Sequence, residues 1–171
     1  MSDVYGQSDA VAVEIAAALN NASPTFCLAV TAERKFARKL DLSDISTIGN
    51  PVTIEVIPGD DLADLTGLDQ IYDDTYGCHV VIMQNVVDET NGGLSESQAA
   101  LLLRLRSEIV EFLCSHSLSC PNAVHPFSGA RVMACRHGKE GIYNLLKLEE
   151  NNVFYSDLIT TYKAVGLRRR K

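Results

Sequence analysis

The spacing of apolar positions changes repeatedly along the chain, and each change marks an element. Val11, Ile15 and Leu19, with Ala12, Ala16 and Ala18 among them, recur at helical spacing and predict a helix over 8–21. Ser8 or Asp9 can cap it, and Pro24 ends it, because the residue before a proline avoids helical backbone. From Phe26 to Phe36 the period becomes two, with Phe26, Leu28, Val30 and Phe36 on one face. Residues 41–45 read as a turn or a single helical turn. Val52-Thr53-Ile54-Glu55-Val56 alternates without fault and predicts a half-buried strand, ended by Pro58-Gly59. Cys78 to Met83 is apolar on both faces, the pattern of a central strand covered on both sides.

The clearest helix begins after Ser95. Ser95 and Gln98 form a capping-box pattern, in which each side chain satisfies a backbone N–H of the other. Leu102, Leu105, Ile109, Phe112 and Leu113 form its apolar stripe, opposite Arg104, Ser107, Glu108 and Glu111. Arg106 falls inside the apolar arc. Either its stem packs while its charge reaches water, or it forms an ion pair between subunits. Beyond a loop at 115–127, Ala130–Cys135 predicts a strand and Ile142–Leu148 a short strand or turn. Phe154–Val165, rich in Tyr, Thr, Ile and Val, predicts a long closing strand. The order α-β-β-β-α-β-β gives a single α/β (α+β) domain over 1–167, a mixed and largely antiparallel sheet flanked by two main helices. Residues 168–171 form a basic C-terminal tail.

Composition narrows the function. Hydrophobic residues make up 46% of 171, enough for a closed core. No apolar run approaches a membrane span, and Met1-Ser2-Asp3 does not open a secretory signal, so the chain is expected to stay in the cytoplasm that made it. Five cysteines at irregular spacing fit reduced, mostly buried thiols. The net charge is −7, yet Arg168-Arg169-Arg170-Lys171 hold four of the fifteen basic residues, leaving 11 basic against 22 acidic residues before them. Such an acidic body does not attract nucleic acid. Residues 60–74 carry Asp60, Asp61, Asp64, Asp69, Asp73 and Asp74 with no basic residue, and read as a long exposed connection.

The chain shows no phosphate-binding loop, dinucleotide fingerprint, nucleophile elbow or EF-hand spacing. Cys114, His116 and Cys120, followed by His125, Cys135 and His137, are soft ligands of the zinc-binding type. Their spacing lacks the CxxC pair of a closed structural site, and buried thiols are the favoured reading. A Cys–His nucleophile pair would need an orienting third group that nothing marks. No catalytic residue, cofactor or metal is assigned.

Taken in order, several pieces suggest a family. They are Ala17-Ala18-Leu19-Asn20, Phe26 through Phe36, Leu40-Asp41-Leu42-Ser43-Asp44, Val52 through Pro58, and Tyr76 through Val86. The helix with Glu108-Ile109-Val110-Glu111-Phe112-Leu113 and the strand Ser156–Ala164 complete the series. In order and spacing, over most of 8–165, the chain resembles the small neck proteins of tailed bacteriophages, tail terminators (tail completion proteins) in particular. The resemblance implies a non-enzymatic virion protein of the tail or neck, assembled in the host cytoplasm. It would form a homo-oligomeric ring, a hexamer, on the tail-tube protein, end tube polymerisation and meet the head-side connector or stopper. DNA would only pass through the lumen, with no membrane involved.

A ring needs two different patches that meet head to tail. The expected patches are the long C-terminal strand with its basic end, Arg168, Arg169 and Arg170, and the acidic stretch with Asp60, Asp61 and Asp64; Arg106 is a further interface candidate. Carboxylates of 60–74 facing the lumen would repel passing DNA, whereas facing outward they would only be solvated. The alternatives are a head–tail adaptor or stopper of the same neck, a small zinc-binding or cysteine-dependent cytoplasmic protein, and a regulatory module whose basic tail binds RNA or membrane.

Overall fold

Three long strands carry the fold, and their side-chain alternation decides where everything else sits. The computed structural model describes residues 7–22, 25–36, 44–64, 71–123 and 126–167. The elements are α1 (Gln7–Asn20), β1 (Val30–Arg34), β2 (Val52–Asp64), β3 (Ile71–Asn85), α2 (Glu96–Ser115), β4 (Leu118–Cys120), β5 (Phe127–His137), α3 (Leu145–Asn151) and β6 (Val153–Leu167). The strands form one sheet in the order β1-β2-β3-β6-β5-β4, with β1 parallel to β2 and every other pairing antiparallel. The α+β class and single domain expected from the sequence are what the chain adopts.

One face of the sheet presents Val52, Ile54 and Val56 from β2, Tyr76, Cys78, Val80 and Ile82 from β3, and Leu158 and Tyr162 from β6. Ile15 and Leu19 of α1 and Leu102, Leu105, Ile109 and Leu113 of α2 close over them, each at most 1% exposed. Burying each of these side chains contributes about 1.5–3 kcal/mol. Because α1 packs against β1 and β2 and also against β4 at the far edge, the sheet curls around it. On the opposite face Ile45, Ile57, Val81, Met83, Val153 and Tyr155 form a smaller cluster. β3 is therefore covered on both sides, as its apolar run predicts. The outer edge of β1 is blunted by Asn20, whose amide donates to the Ala32 carbonyl and accepts the Ala32 N–H, both at 2.8 Å.

Several boundaries differ from expectation. Pro58-Gly59 does not end β2; the register slips there by a bulge, which tolerates a residue lacking an N–H, and the strand resumes at Asp61 opposite Tyr76. Most of the 60–74 stretch is thus strand rather than open connection: Asp60, Asp61 and Asp64 lie on β2, Asp73 and Asp74 on β3, and Asp69 outside the described residues. The strand expected over 26–36 contracts to β1, because Phe26 turns edge-on to Phe112 of α2, ring centres 5.6 Å apart. Phe36 is 72% exposed beneath the Arg34 guanidinium. Leu118–Cys120 adds a short strand inside the expected 115–127 loop. The expected strand or turn at 142–148 is instead helix α3, capped by the Asn144 side chain and ended by left-handed Asn152 at φ 50°.

Only half of the capping box forms. Ser95 accepts the Gln98 N–H, but the Gln98 side chain reaches inward to the buried Gln84 at 2.7 Å. Gln84 in turn donates to the carbonyls of Thr47 and Asn50, pinning the 44–50 segment to the sheet. Among the described residues, no helix is long and apolar enough to cross a membrane.

Candidate functional site

Arg106 sits on the core-facing side of α2 and is only 8% exposed. Its Nε donates to Ser156 Oγ of β6 at 3.0 Å, and Ser156 passes its own proton to the Ile142 carbonyl at 2.5 Å. A terminal guanidinium nitrogen lies 2.5 Å from Nδ1 of His137, the last residue of β5. A guanidinium only donates, so Nδ1 accepts and the ring proton resides on Nε2. The charge is held inside the chain rather than in water, so the expectation that it reaches solvent does not hold; its hydrogen-bond partners are Ser156 and the His137 ring. Ion pairs among the described residues join Arg34 to Asp9, Lys35 to Glu33, His79 to Asp157 and Arg104 to Glu108, and none reaches Arg106. Burial pulls the Arg106 pKa below its ordinary value. Buried charges are normally paired, so a desolvated cation without a carboxylate is energetically incomplete.

Several large aliphatic side chains stand in solvent. Ile142, whose carbonyl closes the Ser156 network, is 48% exposed, and Leu145 and Leu146 of α3 are 54% and 65% exposed. Leu103, one turn before Arg106 on α2, is 36% exposed.

On the other face of the sheet, His79 of β3 and Asp157 of β6 meet at 3.0 Å. They line an open cleft of about 270 Å³ with Tyr143, Asn144 and Tyr155. The carboxylate fixes the imidazole's orientation, as in a base–orienter pair. The described lining residues of this cleft include no Ser, Thr or Cys, whereas a second cleft that His79 also lines carries Thr75, Cys78 and Thr161. Gly138 closes on this pair: a Cβ there would stand 2.7 Å from Asp157 Oδ2.

Part of the acidic stretch runs beside the C-terminal half of β6. Asp73 and Asp74 of β3 pair in register with Val165 and Ala164 of β6, and Asp64 lies opposite Asp73. Leu167, the last described residue of β6, pairs with Ile71. Arg168, Arg169 and Arg170 lie outside the described residues.

The soft-ligand set is not drawn together. Cys120 is buried on β4, where desolvation pushes its thiol up to about 12, and burial also raises Cys135 on β5. Cys114 is exposed at the end of α2, His116 stacks on Phe112, and His137 belongs to the Arg106 network. His125 lies outside the described residues. No three His, Cys, Asp or Glu side chains among the described residues are grouped to hold a metal.

Sequence reasoning missed His79, Asp157 and Ser156. The first two are single polar residues in strands, and nothing local says that β3 and β6 pair. Ser156 carries a usable signal: it breaks an apolar alternation exactly one face over from Tyr155, where only a hydrogen-bonded hydroxyl is at home. Neither the protein-family models nor the curated proteins compared with this sequence give a match.

Proposed function

We propose that this chain is a structural subunit of a tailed-phage neck, forming a ring that caps the tail tube, ends its polymerisation and joins it to the head connector. The observation that carries the reading is that large aliphatic side chains, Leu103, Ile142, Leu145 and Leu146, stand exposed on a domain whose core is otherwise closed by two helices. Such side chains are suited to packing against protein, and no bond-making chemistry is required of them. The choice of tail terminator within that class rests on the order and spacing of the sequence pieces described above. A head–tail adaptor or stopper would share the same surface and differ in its docking partner.

Three features suit the role. The sheet is long-stranded and continuous, so the subunit can act as a rigid body. The acidic excess discourages adhesion of DNA passing nearby. The two ends of β6 differ, with Phe154 and Tyr155 buried near its start and Asp73 and Asp74 of β3 in register with Val165 and Ala164 near its other end, and head-to-tail ring contacts need two unlike patches. The test is to add the purified chain to polymerising cognate tail-tube protein and measure tube lengths by electron microscopy. Shorter tubes with a disc at one end are expected. Tubes of unchanged length at molar excess of the chain contradict the terminator role.

A further inference from the structure

We infer that the groove beside the C-terminal half of α2 is a docking site for arginine side chains, filled by the Arg168–Arg170 run of a neighbouring copy of this chain. The inference rests on the ring-forming reading and names one contact between copies. The groove has a volume of about 670 Å³, and Phe26, Glu108, Glu111, Phe112, Ser115 and His116 line it. Helical spacing builds it: Glu108, Phe112 and His116 follow at i, i+4, with Glu111 and Ser115 as a second row beside them. Phe26, ahead of β1, meets Phe112 edge-on with ring centres 5.6 Å apart, and Phe112 stacks on His116 at 5.1 Å.

Three features of the groove call for a cation. Its aromatic rings offer the negative π faces over which a guanidinium settles. Its carboxylates differ in what they already hold. Glu108 accepts the Cys27 N–H at 2.7 Å and Arg104 Nε at 2.9 Å, whereas Glu111 is exposed and its carboxylate has no partner among the described residues. The last turn of α2 carries no basic residue, so the negative end of the helix dipole lies uncompensated next to Glu111. The described lining residues include no Lys or Arg. Arginine answers all three features, because its planar group both stacks on rings and forks to a carboxylate. A hard metal ion needs six or more oxygens, and one open carboxylate does not supply them.

The sequence contains one arginine run, Arg168-Arg169-Arg170, beyond a body with 11 basic against 22 acidic residues. Within one copy that run is far from the groove. Arg106 sets α2 over Ser156, and Phe112 lies about 9 Å further along the helix. Leu167 ends β6 about 36 Å along the strand from Ser156. Even with α2 directed toward that end, about 27 Å separate Phe112 from Leu167, and three further residues extend only ~10 Å. A neighbour therefore supplies the cations, and a groove on one copy meeting the chain end of the next is a heterologous contact of the kind from which rings close.

A charge-swap cycle on the full chain tests this, with association read by sedimentation at low and high salt and folding by circular dichroism. The variants are Glu111→Lys, the triple Arg168→Glu, Arg169→Glu, Arg170→Glu, and the two combined. Glu111 is exposed and a cation suits a helix C-terminus, so Glu111→Lys is expected to fold. Each alone should weaken association about tenfold or more at low salt, because like charges then face each other, and by less at high salt. Combined, they should associate more tightly than either alone, since opposite charges meet again. Additive losses, or unchanged association in either folded variant, overturn the inference while leaving the ring reading intact. A loss in the arginine variant that Glu111→Lys does not share sends the run to another surface and likewise overturns it. Should a variant fail to fold, a free peptide of residues 164–171 decides: in excess it should disperse wild-type oligomers, and no effect on them overturns the docking. A wild-type chain that stays monomeric at every concentration sinks both readings.

Discussion

Gly138 shows how little room a single position can leave. Its backbone N–H donates to the Asp157 carbonyl, and a Cβ would meet the Asp157 carboxylate at 2.7 Å and its Cβ at 3.0 Å. Gly138→Ala should therefore cost about 1–3 kcal/mol, the range for overpacking, read as a lower urea midpoint with an unchanged slope. Glu108 carries a pH signature. The Cys27 N–H at 2.7 Å and Arg104 at 2.9 Å hold its carboxylate below the ordinary value of 4.5. A depressed folded pKa means stability that is present above the unfolded value and lost as pH falls through the folded one. The stability difference between wild type and Glu108→Gln should then be largest above about pH 4.5 and shrink below it; a pH-independent difference in urea titrations would refute the assignment. The position of Arg106 inside the apolar arc follows from helical geometry alone, but its partners do not. Ser156 is 50 residues away and His137 is 31 away, and only the sheet order brings β5 and β6 under α2.

Elements whose own sequence fixes their state were legible. β3 is apolar on both faces, and α2 has a cap and a five-residue stripe, so neither needs its neighbours to be recognised. β2 was legible only as far as Val56, because Pro58-Gly59 signals a stop by local rules, whereas pairing with β3 carries the strand across a bulge. The same holds for β4, three residues long and defined by its partner β5, and for α3, whose seven residues carry too few turns for a period to show. At the crossing of β2 and β3, a Cβ on Gly59 would stand 2.9 Å from the Gly77 carbonyl oxygen, backbone against backbone. Gly59→Ala should push these strands apart. Amides of residues 71–77 are expected to exchange hydrogen faster, by about tenfold for each 1.4 kcal/mol of local loss, while those of α2 keep their protection. Uniform protection across both segments would contradict the close approach.

For the molecule as a whole, the sheet curls around α1 and is roofed by α2, and Ile142, Leu145 and Leu146 are left exposed. The sequence pattern conveyed the class of fold and the acidic balance, because both are sums over many residues. It did not convey that Asp73 and Asp74 lie in register with Val165 and Ala164, because that depends on the pairing of β3 with β6. A net charge of −7 makes copies repel at long range, so association must come from short-range fit between patches of unlike chemistry. The mass of the purified chain in solution, measured alone and with cognate tail-tube protein, bears on this most directly. The account predicts a closed oligomer several times the 18.6 kDa chain, alone or on meeting the tube. A species that remains at the mass of one chain across concentrations, and ignores tubes, would contradict it.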